Sequence, residues 1–247
     1  AQALEPAIKE TLALAAKRIE AFHRRQHRES WFFEEDGTGL LGQLVRPLSR
    51  VGLYVPGGSA AYPSTLLMNA IPARVAGVDE LVVCTPVNRD RSIPPAVLAA
   101  AHLVGIREIY RVGGAQAMAA MAYGTESIRA VDKIVGPGNI YVATAKRLLY
   151  GVVGIDMVAG PSEILIVADG AASPKWIAAD LLAQAEHDPR ASAICITPSA
   201  ALAEEVRADL GRQLEGLPRA SLAREALGAY GALIIVADLA EAMGIAN

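Results

Sequence analysis

From Val51 onward, short apolar runs rich in Val and Ile alternate with segments of helical periodicity, and this alternation constrains the fold more than any other feature. After the run Val51–Val55, the pattern predicts a helix near Ser64–Ala76, a strand at Glu80–Thr85, a helix at Pro94–Val104 and a strand at Glu108–Val112. A helix at Ala115–Tyr123, a strand at Lys133–Val135 and a helix at Asn139–Tyr150 follow. Strands joined through helices run parallel, and helices then cover both faces of their sheet. A turn-rich junction, Gly160-Pro-Ser162, opens a second series: strand Glu163–Ala168, a helix from Ser173, strand Ser192–Thr197, helix Ala200–Leu214, strand Ala232–Val236 and a helix start at Asp238. The expected architecture is α/β, two Rossmann-like lobes with parallel sheets, preceded by an N-terminal helix. That helix is Leu4–His27, with Ala7, Ile8, Leu12, Ala15, Ile19 and Phe22 at near-helical spacing. Gly39–Arg46 and Val51–Val55 suit edge strands. The expected divisions are 1–53, packing with the second lobe, then 54–162 for the first lobe and 163–247 for the second.

Composition fits this class. A chain of 247 residues holds one large domain or two small ones, and 53% apolar with only 5% aromatic residues indicates cores of Ala, Val, Leu and Ile. A net charge of −3 gives no electrostatic reason to expect nucleic acid or an anionic membrane as partner. No apolar run approaches the roughly 18 residues of a membrane span, and the N-terminus lacks a signal-peptide pattern. The chain begins at Ala1 without Met, so an upstream segment is expected to have been removed. Cys84 and Cys195 each lie in an apolar strand-like run, which reads as a buried reduced thiol of a cytoplasmic protein, and neither sits at a turn that would expose a thiolate nucleophile. The basic run from His23 to Arg28 is read as the solvated end of a helix rather than a phosphate site.

In parallel sheets ligands bind at the carboxyl ends of the strands. Four strand-end turns are glycine-rich: Tyr54-Val-Pro-Gly-Gly58, Val112-Gly-Gly-Ala-Gln116, Val135-Gly-Pro-Gly-Asn139 and Ala159-Gly-Pro-Ser162. Glycine lets backbone N–H groups approach a phosphate ahead of a helix N-terminus. None of the four is G-x-G-x-x-G, and any single one is explained as a tight βα turn; four together point to a ligand cleft, by default the one between the lobes. Tyr54 suits stacking on a flat ring, or plain packing. Gln116 and Asn139 each stand at a helix start, where a carboxamide either caps the helix or bonds a ligand.

The stretch Ser173 to Pro189 predicts a helix with Ser173 as N-cap and Pro174 in the first position, ending near His187 because Pro189 pushes Asp188 out of helical space. Asp180, Gln184 and His187 fall at i, i+4 and i+7 on one face, with Ile177, Leu181 and Leu182 turned to the core. By spacing alone His187 is a dipole-compensating residue at a helix end, and a Gln-x-x-His pair is a weaker zinc signal than two histidines.

The runs Val51-Gly-Leu-Tyr-Val-Pro-Gly-Gly58, Val112-Gly-Gly-Ala-Gln-Ala117, Val135-Gly-Pro-Gly-Asn139, Asp156-Met-Val-Ala-Gly-Pro-Ser-Glu163 and Asp180-Leu-Leu-Ala-Gln-Ala-Glu-His187 resemble, in order, those of histidinol dehydrogenases. Matching stretches cover nearly the whole chain. The resemblance implies a homodimeric, zinc-requiring, NAD-dependent enzyme that takes L-histidinol through an aldehyde to L-histidine in a four-electron oxidation. It implies NAD contacts at Tyr54, Gln116 and Asn139, substrate contact at Ser162, Gln184 and His187, and zinc ligation by Gln184 and His187, the zinc orienting the substrate's amino group and imidazole. Asp180 is then a partner of those ligands or, by a slight preference, a solvated carboxylate. The family's Glu-His pair, two further zinc ligands and an N-terminal segment have no counterpart in these residues. The chain alone is therefore expected to be inactive and to bind zinc weakly, with no catalytic residue assigned. Two other readings stay open: a relative acting on another small polyol or amino alcohol, and a non-catalytic nucleotide-binding protein.

Overall fold

The computed structural model describes residues 4–35, 37, 39–57, 61–160 and 162–247. They form two compact units, divided between Ala159 and Gly160, where the sequence reading sets the division after Ser162.

The first unit opens with helix α1 (Pro6–His23) and an antiparallel ribbon, β1 (Trp31–Glu35) with β2 (Gly39–Gln43). Then follow β3 (Arg50–Tyr54), α2 (Pro63–Val75), β4 (Glu80–Cys84), α3 (Pro95–Leu103), β5 (Glu108–Tyr110), α4 (Gly114–Tyr123), β6 (Lys133–Val135), α5 (Ile140–Leu149) and β7 (Gly154–Ile155). The main sheet is parallel in the order β5-β4-β3-β6-β7. Connections therefore run outward from β3 to β5, return across the sheet and continue through β6 to β7, so the order reverses between β3 and β6.

β3 is thus the central strand and not the expected edge. All five of its residues are buried, as a continuous apolar run should be when helices cover both faces. Gly52 contributes by what it lacks, since a Cβ there would meet Met121 Sδ at 2.6 Å. On one face Leu53, Val55, Leu66, Leu67, Val83 and Val97 pack together, with Leu12, Ala16 and Ile19 of α1 laid against them. The N-terminal helix accordingly packs on α2 and α3 of its own unit. The other face carries Tyr54, Val82, Cys84, Met118, Met121, Ile134 and Val142 beneath α4 and α5. The ribbon of β1 and β2 is exposed throughout, Trp31, Phe32 and Phe33 included. The sequence reading overlooked β1, although an aromatic run ahead of Asp36-Gly37 is a hairpin signal.

The amino ends of the strands are tied by charge. Arg50, 5% exposed, donates to Glu80 at 2.7 Å and to Glu108 at 2.7 Å, while the Asp132 carboxylate accepts from the N–H groups of Ser49 and Arg50, both at 2.9 Å. The bond from Arg50 holds the Glu108 carboxyl below its ordinary range, against the opposing effect of burial.

The second unit contains β8 (Glu163–Val167), α6 (Pro174–Ala185), β9 (Ser192–Thr197), α7 (Ala200–Leu214), α8 (Ala220–Tyr230), β10 (Gly231–Ile235) and α9 (Leu239–Ala246). Its sheet is parallel in the order β10-β9-β8, the outward-running half of a doubly wound sheet. Ile177 and Leu181 of α6 pack with Leu202 and Val206 of α7 over Ala193 and Cys195. Ser199 and Asp238 cap α7 and α9 through Leu202 N–H at 3.2 Å and Glu241 N–H at 2.8 Å. Ser173 has extended backbone at the N-cap of α6 but makes no side-chain cap bond. Helix α8 was not anticipated; its buried residues are Ala223 and Ala226, with Leu227 packed beside them.

Candidate functional site

The carboxyl ends of β3, β4, β5 and β6 gather their turns at one edge of the first sheet, with Tyr54 among them. Its ring is 4% exposed and sits in the core, so packing, and not an open stacking surface, is what this side chain shows. Its hydroxyl accepts from the Gly114 N–H at 3.0 Å and so ties the tip of β3 to the start of α4. On its other side Gly136, at φ +115°, lies so close that a Cβ would press into the Tyr54 carbonyl oxygen. Pro86, after β4, abuts both Gly57 and Gly113, whose Cβ atoms would fall 3.0 Å and 2.8 Å from it. Glycine at the turns after β3, β5 and β6 lets these backbones meet each other and the Pro86 turn, whereas the fourth glycine-rich stretch of the sequence, residues 159–162, falls at the unit boundary ahead of β8. Gly58 lies outside the described residues.

Gln116 and Asn139 are both exposed at this edge, in the first turn of α4 and at the start of α5. Asn139 caps α5, its Oδ1 accepting from the Val142 N–H at 3.1 Å. The capping alternative is therefore realised, and the same residue still marks a helix N-terminus whose free N–H groups favour an anion. Sequence reasoning missed the polar group behind this turn. Lys146 of α5 is 3% exposed and donates to the Gly136 carbonyl and to Asp156 Oδ1, the latter at 2.6 Å. Asp156 Oδ2 accepts in turn from the Gly136 N–H at 2.8 Å. The available signal was Lys146 itself, four residues after the buried Val142 on the inward face of an amphipathic helix.

The second unit holds Ser162, Gln184 and His187. Helix α6 runs back from the carboxyl end of β8, so its last turn returns to the amino ends of the strands. Ser162 is exposed there, its carbonyl accepting from the Ser192 N–H at 3.3 Å. The topology thus gathers all three residues at the amino end of this sheet, the reverse of the rule that governs the first. Pro161 lies outside the described residues. Gln184 is half-buried in the last turn of α6, and His187 is exposed just beyond the helix. The His187 N–H donates to the Gln184 carbonyl at 3.1 Å, keeping the two residues one turn apart. Asp180, a turn earlier, is exposed.

An amide oxygen and an imidazole beside the negative end of a helix suit a cation. They make a partial ligand set, since among the described residues no three His, Cys, Asp or Glu side chains gather into a metal-holding group. Neither cysteine offers a nucleophile: Cys84 is wholly buried and its thiol is pushed up to about 12 by burial, and burial raises Cys195 as well. Among the described residues no helix is long and apolar enough to cross a membrane.

Comparison with known proteins places the chain. The family model for histidinol dehydrogenase matches residues 1–247. The chain is 57% identical over 247 residues to a histidinol dehydrogenase of Moorella thermoacetica and 58% identical over 246 residues to one of Geobacillus kaustophilus, covering 58% of each relative's length. It superposes on the crystal structure of histidinol dehydrogenase from Elizabethkingia anophelis with a TM-score of 0.88 at 39% identity, over 99% of this chain and 56% of that one. The chain thus spans somewhat more than half the length of the relatives it matches, and it belongs to the histidinol dehydrogenase family.

Proposed function

We propose that the protein is an NAD-dependent, zinc-requiring dehydrogenase that oxidises L-histidinol to L-histidine, working as a cytoplasmic homodimer. The observation that carries this reading is the convergence of three glycine-rich turns, those after β3, β5 and β6, at the carboxyl edge of the first sheet, with exposed Gln116 and Asn139 at two helix starts. There the N–H groups of α4 and α5 receive the phosphates of NAD, and the two carboxamides bond the nucleotide. Tyr54 acts from beneath, holding Gly114 in place. In the second unit Gln184 and His187 hold zinc, with Ser162 bonding the substrate.

Zinc in this role orients the substrate's amino group and imidazole and carries no electrons. The balance is two hydrides to two NAD⁺: the alcohol loses one hydride and one proton, and the aldehyde, after adding water, loses the second hydride and two protons and becomes the carboxylate. Both thiols of this chain are buried, so neither Cys84 nor Cys195 is the nucleophile of the second step. The 247 residues alone hold an incomplete metal shell among those described, and we propose that they do not turn over by themselves.

The test is steady-state oxidation by the full-length enzyme, with zinc, across a panel of small amino alcohols and polyols. The expected result is two NADH per L-histidinol, L-histidine as product, loss of activity on chelation and recovery with zinc. Preference for another alcohol, or one NADH per substrate with aldehyde accumulating, would overturn the reading.

A further inference from the structure

We propose that Lys146 is a positioning residue for the nucleotide, acting through the clamp it forms with Asp156 across the β6–α5 turn. The inference rests on the NAD reading above and adds a residue that no sequence motif flags. Both backbone polar groups of Gly136 are held by this pair: its carbonyl accepts from Lys146 Nζ and its N–H donates to Asp156 Oδ2 at 2.8 Å. Asp156 is fully engaged, because Oδ1 also accepts from Lys146 at 2.6 Å and from the Met157 N–H at 2.7 Å. A carboxylate so occupied is not a base in waiting, and an ammonium 3% exposed is not a surface anion trap. What the pair does is fix Gly136, and through Pro137 and Gly138 the Asn139-capped start of α5. A cavity of about 180 Å³ opens at this turn, walled by Asn69, Pro137, Gly138, Lys146, Asp156 and Met157.

Electrostatics sharpen the point. As a pair, the clamp is neutral and leaves the anion preference of the α5 N-terminus intact. Without Lys146, the Asp156 carboxylate stands uncompensated behind the turn that is to receive a phosphate, and like charge opposes binding. Loss of Lys146 should therefore weaken NAD more than loss of the Asp156 charge, and removing both should cost less than the sum of the two.

The experiment is NAD titration of the intact protein by calorimetry, well below its melting temperature, for wild type, Lys146→Met, Asp156→Asn and the double variant. Arg50→Met, at the opposite end of the sheet, is the control for stability alone. The expected result is a Kd raised about tenfold or more for Lys146→Met, less for Asp156→Asn, and unchanged for the control even where its melting temperature falls as far. An unchanged Kd in folded Lys146→Met, with wild type binding normally, overturns the clamp and leaves the NAD reading standing; failure of wild type to bind NAD overturns both. Should Lys146→Met not fold, Lys146→Gln takes its place, and the sign of its effect on Kd decides.

Discussion

Gly136 shows how one atom sets the geometry of the carboxyl edge of the first sheet. Its φ of +115° is a region that L side chains rarely enter, and the space a Cβ needs is taken by the Tyr54 carbonyl. Gly151 has a similar φ of +98° but nothing within reach of a Cβ. The two glycines therefore separate backbone strain from collision. Gly151→Ala is expected to cost about 1 kcal/mol, the strain alone. Gly136→Ala should cost roughly 3 kcal/mol or more, because the strand tip must also move, and it should abolish measurable NAD binding. Equal losses in urea unfolding would show that the close approach to Tyr54 carries no energy. At this scale the sequence was partly legible: a carboxamide ahead of a helical run announced the Asn139 cap. Burial of Tyr54 was not, since a strand-end tyrosine reads the same whether its ring lies under the turn or over it.

Most helices and strands of the alternating series were read close to their observed bounds. The span predicted for α7 is the one observed, and α5 differs from its prediction by one residue at each end. β7 went unread because two residues make too little pattern, and α8 went unread although its apolar face is as well defined as that of α5. β3 was read as a strand but misplaced as an edge, because strand order depends on contacts that no local window contains. Its centrality explains the Arg50 tie, which joins three adjacent strands at their amino ends. Glu108 and Glu80 are held below their ordinary range chiefly by Arg50. A depressed carboxyl stabilises the fold above its unfolded value of about 4.3 and loses that contribution as pH falls through the lower folded value. Arg50→Met is thus expected to be most destabilising near neutral pH, with the deficit shrinking below about pH 4. A deficit in urea unfolding that stayed constant from neutral to acid pH would refute the ionic account and leave only lost packing.

On the scale of the whole molecule, the proposed chemistry is divided between two units with separate cores: Leu53, Leu66 and Met118 belong to clusters of the first, Leu181 and Val206 to one of the second. The residues proposed for the nucleotide all fall in one unit and those proposed for the metal in the other, at opposite poles of their sheets: carboxyl ends in the first, amino ends in the second. The usual rule for parallel sheets points to the edge that carries Gln116 and Asn139 but gives no guide to Gln184 and His187, which are proposed through a family motif alone. A ligand that binds the native state alone stabilises what it touches, by about 2.7 kcal/mol at a hundred times its Kd. Hydrogen exchange read amide by amide should then resolve the division. NAD is expected to slow exchange at Gly114, Gly136 and the first turn of α5, leaving the end of α6 unchanged. Zinc should do the converse, slowing the amides from Gln184 to Ala191 and leaving the β6–α5 turn as it was. If NAD alone protected the end of α6, or zinc alone the Gly136 turn, the assignment of one ligand to each unit would fall, because the residues argued to hold each would not be the ones it orders.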